Sequence, residues 1–211
     1  MARKGCLSGC LQAVLGIAAV AAFAFGIHLA GERIDIARFP WGHAESGRPT
    51  LTGTWVGPVN LGSGKRMAML VWSELAPLDR HRKWPGPIIR TRRTSWLEGH
   101  AMTCGNPGPV QRFKTWGKPD DEHAASRFHL AIVPADSVPA DGLAPSGLKG
   151  RWAGGDEMQV DVSFYLRKGK SAISASNDPD TGPDTPVTLK RGTEADFNSL
   201  CSSLRGASTR G

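Results

Sequence analysis

The feature that most constrains this chain is an uncharged run of twenty residues, Leu11 to Ala30, near its amino terminus. Twenty residues of α-helix extend roughly 30 Å, which is the thickness of the hydrocarbon core of a bilayer. Arg3 and Lys4 precede the run, and the positive-inside rule keeps that end of a membrane helix in the cytoplasm. The sequence therefore predicts a single transmembrane helix over residues 11–30 and an extracytoplasmic remainder.

Two other interpretations of the amino terminus compete with a retained anchor. Ala22-Phe23-Ala24 is a potential cleavage site for a signal peptide, but the apolar run continues past it to Leu29, which favours an uncleaved helix. Leu7-Ser8-Gly9-Cys10 resembles the box at which bacterial lipoproteins are cut and lipidated. Lipidation requires the apolar core to precede the cysteine, whereas here the core follows it. We therefore assign residues 1–10 to the cytoplasm.

Residues 31–50 are predicted to be a linker between the membrane helix and a folded domain. Pro40 and several glycines interrupt any long helix there. Phe39 and Trp41 are expected at the membrane surface, where aromatic side chains are enriched. The remaining residues, 51–211, suffice for one domain.

The outer domain is predicted to be all-β because its apolar residues alternate with polar ones. From Met158 to Leu166 every second residue is apolar, and Phe128 to Ile132 repeats the pattern. A period of two places one set of side chains on a buried face of a sheet. Residues 66–74 are more continuously apolar, as in a strand covered on both faces. The expected fold is an antiparallel β-barrel or β-sandwich with hairpin connections.

The pattern L-x-G-x-W-x-G occurs twice, at Leu51–Gly57 and at Leu148–Gly154. Glycine lets a strand bend or lets a large ring lie across the backbone, so Trp55 and Trp152 are predicted to close the ends of a small barrel or sandwich. Gly53-Thr54-Trp55 is also similar to the G-x-W of the lipocalins, in which the Trp closes the barrel floor. That resemblance covers three residues and implies a barrel that carries a small apolar ligand. The second copy has no counterpart in the lipocalin pattern.

The carboxyl-terminal region has helical rather than strand periodicity. Its apolar residues at helical spacing are Phe197, Leu200, Cys201 and Leu204. Thr193 and Asp196 form a potential capping box, so a helix is expected over 194–204 with its apolar face on the sheet. Cys201 lies on that face, and Cys104 is the only other cysteine of the outer domain. In an oxidising compartment these two cysteines are predicted to form a disulfide.

A basic segment is the candidate binding site, with six cations in fourteen residues and no acid between them. The predicted site residues are Arg80, Arg82, Lys83, Trp84, Arg90, Arg92 and Arg93. Arginine side chains suit phosphates and carboxylates. The expected partner is therefore an anionic lipid, a cell-wall polymer or another envelope protein, and not nucleic acid. The alternative is a solvated loop, with Arg90 and Arg92 on the outer face of a strand.

Motifs that would carry catalysis or metal binding fail on inspection. The glycines before Gly64-Lys65 are out of frame for a phosphate loop, because Val59 stands at the first glycine position. Residues 178–184 lack the ligand pattern of a calcium loop, and the histidines lack metal-ligand spacing. No metal or cofactor is predicted. The sequence favours a non-enzymatic binding module of the bacterial inner membrane, facing the periplasm. The alternatives are a carrier of a small apolar ligand in a lipocalin-like barrel, and an enzyme whose site is assembled only in three dimensions.

Overall fold

A computed structural model of the chain describes residues 5–61, 66–76, 97–105, 109–121, 124–135, 141–168, 171–174 and 185–208. Within these residues nine strands form one antiparallel sheet that closes into a barrel. The strands are β1 (Gly53–Asn60), β2 (Arg66–Leu75), β3 (Leu97–Gly105), β4 (Gln111–Pro119), β5 (Arg127–Pro134), β6 (Asp141–Trp152), β7 (Glu157–Lys168), β8 (Ser171–Ser174) and β9 (Thr185–Arg191). Two helices flank the strands, α1 (Gly5–Arg38) and α2 (Glu194–Ser208).

The barrel has an up-and-down order, since β1 to β7 each pair with the next strand along the chain. β9 pairs with both β7 and β1, which closes the barrel. β8 and β9 lie one after the other along the same edge of β7, so together they occupy the eighth position. The prediction of an all-β antiparallel fold is confirmed, and of the two expected architectures the chain adopts the closed eight-stranded barrel.

The helix α1 is long and apolar enough to cross a membrane. Within its span Val14–Arg38, the most apolar window of 18 residues has a mean hydropathy of 2.1, and that window is not buried against the rest of the protein. The helix extends past the predicted boundary because no helix breaker occurs between Gly31 and Arg38. It ends just before Pro40, and the residue before a proline is disfavoured in helical conformation.

Phe39 and Trp41 follow α1 directly and are buried in the core of the barrel, with 5% and 3% of their surface exposed. The expectation that they lie at the membrane surface was therefore wrong. Both rings remove more apolar surface from water inside the barrel than they would at an interface. They cover the end of the barrel at which β1 begins and β2 ends, which we call the α1 end. The segment predicted to be a linker thus packs onto the α1 end of the barrel, where the N–H of Leu51 also donates to the carbonyl oxygen of Trp41.

Two inward-facing glycines allow close packing inside the barrel, one beneath a large ring and the other against a neighbouring strand. A Cβ atom on Gly150 would lie 2.0 Å from the ring of Phe128, so the ring rests on the glycine backbone. A Cβ atom on Gly57 would lie 2.4 Å from the carbonyl oxygen of Thr188 on β9. Glycine is needed at both positions because a larger residue would collide with its neighbours.

The outer side of β1–β3 is covered by α2, which explains why β2 is apolar on both faces, as predicted. Phe197 is fully buried there against residues such as Leu70 and Met102. Cys104 and Cys201 form the predicted disulfide, with their Cα atoms 6.0 Å apart.

The predicted capping box is present at the start of α2. The backbone N–H of Thr193 donates to Oδ2 of Asp196 at 2.7 Å, and the N–H of Asp196 donates to Oγ1 of Thr193 at 3.3 Å. The helix is longer than predicted and continues to Ser208. The local signal therefore located the start of the helix correctly and its end less well.

Candidate functional site

Trp55 is fully buried at the α1 end, and its contacts join three parts of the chain. Its indole N–H donates to the carbonyl oxygen of Leu51 at 2.8 Å, and the guanidinium carbon of Arg191 lies 4.0 Å from its ring centroid. Arg191 also donates to the carbonyl oxygens of Thr50 and Thr52, the latter at 2.6 Å. Burial lowers the pKa of Arg191, and nearby Asp156 opposes this shift. These groups tie the last strand to the segment that precedes the first, so they stabilise the barrel closure.

Trp152 lies at the α1 end as well, because β6 ends where β1 begins. It is 5% exposed, and its indole N–H donates to the carbonyl oxygen of Gly155 at 2.8 Å. The sequence suggested that Trp55 and Trp152 close the ends of a barrel or sandwich, and the structure places both at one end of the barrel. Neither indole N–H is left for a ligand, since each is already used by a backbone carbonyl.

One buried polar group in the barrel interior lacks a partner among the described residues. The hydroxyl of Thr115 on β4 is buried without a hydrogen bond. Thr115 stands opposite Gly99 on β3 and Ile132 on β5 in the strand register. An unpaired buried hydroxyl is costly, so this position suits a water molecule or the polar end of a small ligand.

An open groove of about 520 Å³ lies on the outer side of β2–β4, towards the α1 end. It is lined by Trp72, Glu74, Glu98, Gly99, His100, Lys114, Thr115 and Trp116. The rings of Trp72 and His100 stack with their centroids 5.1 Å apart, and Trp116 is 41% exposed. Trp116 lies between this groove and a group of basic side chains on β4, β5 and β6.

We call that group the basic face: the exposed outer residues of β4–β6 nearest the α1 end, which are Lys118, Arg127, His129, Lys149 and Arg151. Lys118, His129 and Lys149 stand opposite one another across the three strands, and Arg127 stands directly opposite Arg151. Like charges in directly opposite positions destabilise a sheet by themselves.

The acidic residues near the basic face offset only part of its charge. Asp120 contacts the imidazole of His129 at 3.2 Å, and Asp161 on β7 stands opposite Lys149. Opposite Arg151 on β7 is the neutral Gln159. Among the residues that the structure describes, the two arginines therefore carry the least neutralised part of the basic face.

The basic segment predicted from the sequence falls in residues 77–96, outside the described part of the chain. Its seven predicted site residues, Arg80 to Arg93, therefore remain a prediction. The described residues on either side of it, Ala76 and Leu97, are at the end of β2 and the start of β3. Both ends of the segment thus join the barrel at the α1 end.

Sequence reasoning missed the basic face because its members come from three strands that are separated along the chain. Two of these strands do carry a signal, because basic residues occupy alternate, outward positions along them. These residues are Arg127 and His129 on β5, and Lys149 and Arg151 on β6. That alternation indicates only a solvated face until the register places the pairs side by side.

The class of protein that the fold defines is an up-and-down β-barrel with an amino-terminal helix able to span a membrane. No family model, curated protein or solved structure matches the chain. Within the described residues, His, Cys, Asp and Glu side chains form no group of three or more that could hold a metal ion. The geometry of this barrel and the charges around it are therefore the features that bear on function.

Proposed function

We propose that the chain is a membrane-anchored β-barrel that acts as a non-enzymatic binding module for an anionic component of the bacterial envelope. The observation that carries this proposal is the junction of α1 with the barrel. Phe39 and Trp41 are buried immediately after Arg38, so the barrel has little freedom to move away from the membrane surface. A domain held in this way meets the headgroups and polymers that lie next to its own membrane.

Placement of the barrel in the periplasm, with α1 in the inner membrane, is supported by two features. Cys104 and Cys201 form a disulfide, which suits an oxidising compartment. Arg3 and Lys4 precede the apolar run, which favours a cytoplasmic amino terminus. Mass spectrometry of the mature protein tests the anchor: an intact amino terminus supports it, and a terminus after Ala24 would contradict it.

The anionic partner is inferred from the cations near the α1 end. The basic segment, residues 80–93, comes between β2 and β3 in the chain, and the last residue of β2 and the first of β3, Leu75 and Leu97, lie at the α1 end. Arginine-rich segments beside a membrane are attracted by anionic headgroups, at about 1 kcal/mol per cation. Trp55, Phe128 and Trp152 are buried inside the barrel at the same end, which favours the outer surface and its connections as the place for binding.

The test uses the full chain in nanodiscs of zwitterionic lipid, mixed with vesicles of phosphatidylglycerol. Replacing Arg82, Lys83, Arg90 and Arg92 with Ser should weaken co-sedimentation with the vesicles by more than tenfold, since each lost cation is worth roughly fivefold. The control is Arg66→Ser with Arg112→Ser, two exposed cations at the opposite end of the barrel, which should bind nearly as the wild type does. Unchanged binding of the fourfold variant would reject the basic segment as the site.

A second candidate function is a carrier of a small apolar ligand, and the buried hydroxyl of Thr115 is the observation that favours it. Titration of the protein with an environment-sensitive apolar fluorophore tests this candidate. A carrier would show saturable binding at one site, and Thr115→Val would change the affinity. A linear, non-saturating response in both proteins would eliminate the carrier.

A further inference from the structure

We propose that the basic face binds the phosphate headgroups of anionic phospholipids in the membrane that holds α1. This inference deepens the proposed function and rests on its anchor, because the face must lie beside a bilayer. The basic face contains no residue of the basic segment, and all of its residues lie on the three strands β4, β5 and β6. The partner is the lipid headgroup rather than a soluble anion or a polymer.

The α1 end of the barrel lies only a short distance from the bilayer. The uncharged run ends near Gly31, and α1 continues to Arg38 before Phe39 enters the barrel core. Seven helical residues extend roughly 10 Å. A headgroup layer is about 5–8 Å thick on each side of the hydrocarbon core. The α1 end therefore lies at the height of the headgroups or just above them.

The two arginines of the basic face form a pair that suits a bound anion. Arg127 and Arg151 stand directly opposite each other on β5 and β6, both exposed, and they are the members of the basic face closest to the α1 end. Their mutual repulsion is relieved if an anion lies between the two guanidinium groups. A phosphate oxygen pair matches the fork of N–H donors on each arginine.

An exposed tryptophan, Trp116, lies next to the basic face. Trp116 precedes Lys118 by two residues on β4, so both side chains point outward on the same strand. Its neighbours on one side are small, because Ala131 stands opposite it on β5 and Gly147 follows on β6, while Glu98 stands opposite it on β3. The ring therefore projects from the barrel beside the basic face. Tryptophan beside cations is typical of the water–membrane interface.

The experiment compares the full chain in nanodiscs of phosphatidylcholine and in nanodiscs containing phosphatidylglycerol. Lys118 and Lys149 are labelled with an amine-reactive reagent, and the rate at each lysine is measured by mass spectrometry. We expect labelling of both to slow by about fivefold or more in the anionic nanodiscs, because docking covers the face. High salt should remove the protection, since the Debye length falls to about 3 Å at 1 M.

Two variants separate docking from a general effect of the anionic surface. Arg127→Ser with Arg151→Ser should restore the labelling rate of Lys118 to its value in phosphatidylcholine. Arg66→Ser with Arg112→Ser removes the same charge at the far end of the barrel and should leave the protection intact. Equal labelling of Lys118 in both membranes would overturn the inference. Protection that persists in the Arg127/Arg151 variant would overturn it as well.

Failure of this inference is distinguishable from failure of the anchor or of the basic segment. If the anchor is cleaved after Ala24, the mature chain keeps only residues 25–38 of α1. That remnant is too short to span a bilayer, so the chain does not stay in the nanodisc. If only the basic segment binds anionic lipid, the fourfold variant loses binding to added vesicles while Lys118 labels equally in both nanodiscs. Quenching of Trp116 by brominated lipid, measured as the difference from Trp116→Phe, provides an independent readout of docking.

Discussion

The two copies of L-x-G-x-W-x-G share a sequence pattern and an end of the barrel, but their tryptophans have different surroundings. Trp55 is at the start of β1, carries Arg191 over its ring and donates to Leu51, a residue before the strand. Trp152 is at the end of β6 and donates to Gly155 in the turn that follows. The first copy therefore connects distant parts of the chain, whereas the bond of the second copy stays within three residues.

The glycines of the two copies also differ in what requires them. Gly53 has a φ of +118° and Gly154 a φ of +85°, so each copy uses a different position for the conformation that favours glycine. Gly57 faces the backbone of β9, while Gly150 supports the ring of Phe128. A repeated motif thus predicts where large rings and tight turns occur, but not which glycine performs which task.

The largest expected effect is on the two tryptophans themselves. Trp55→Ala should lower the free energy of unfolding by about 5 kcal/mol, because it opens a cavity and removes the ring beneath Arg191. Trp152→Ala should cost about 3 kcal/mol, since its contacts are more local and it lies nearer the surface. Urea unfolding of the full chain in detergent, followed by near-ultraviolet circular dichroism, measures both. Equal losses would break the contrast between the two copies.

A smaller difference in stability is expected between Gly57 of the first copy and Gly150 of the second copy. Gly57→Ala should cost about 3 kcal/mol, because its Cβ would meet the backbone of Thr188, which cannot rotate away. Gly150→Ala should cost about 2 kcal/mol, because it meets only the ring of Phe128. Adding Phe128→Leu should recover part of the loss for Gly150→Ala and none for Gly57→Ala. Recovery of both by the same change would contradict this account.

Arg191 allows the surroundings of Trp55 to be tested without removing the ring itself. Arg191→Met keeps the apolar stem but removes the donors to Thr50 and Thr52, and it should cost about 2 kcal/mol. Arg151→Met, on the exposed outer face beside Trp152, serves as the control and should change stability by less than about 0.5 kcal/mol. Thermal unfolding of the two variants gives the comparison. If Arg151→Met is destabilised as much as Arg191→Met, the loss reflects removal of a positive charge in general and not the hydrogen bonds of Arg191.

The smallest effect is expected two residues after Arg191, at the capping box of α2. Hydrogen bonds from Thr193 lower the pKa of Asp196 below its usual value of 3.8. The carboxylate form is therefore favoured in the folded state, so its contribution is complete above the unfolded pKa. That contribution is lost as the pH falls through the lower, folded pKa. The stability advantage over Asp196→Ala should be present at pH 7 and should shrink as the pH is lowered through the folded-state pKa of Asp196. An advantage that does not change with pH would contradict the assignment.

Several elements followed directly from the sequence because their signals are local. The uncharged run predicted α1, the period-two alternation predicted β7 and β5, and Thr193 with Asp196 predicted the start of α2. The disulfide between Cys104 and Cys201 was also predicted, because the outer domain offers two cysteines. These features depend on neighbouring residues or on a small number of pairing choices.

The surroundings of the junction and of the basic face did not follow from the sequence. Phe39 and Trp41 looked like interfacial anchors, and only the closed barrel provides the apolar end that buries them. Arg127 and Arg151 are 24 residues apart in the chain and come together only through the register of β5 with β6. A register shift of one residue would reverse which face each side chain occupies.

By itself, the sequence of this chain determined that a membrane-length helix precedes an antiparallel β domain with a carboxyl-terminal helix and one disulfide. The tertiary structure alone decided that the sheet closes into an eight-stranded barrel and that both repeated tryptophans lie at the α1 end. It also decided that a basic face forms beside that end. The physical reason is that periodicity and capping are properties of neighbouring residues. Closure and register, in contrast, depend on long-range pairing, in which many local patterns must be satisfied at once.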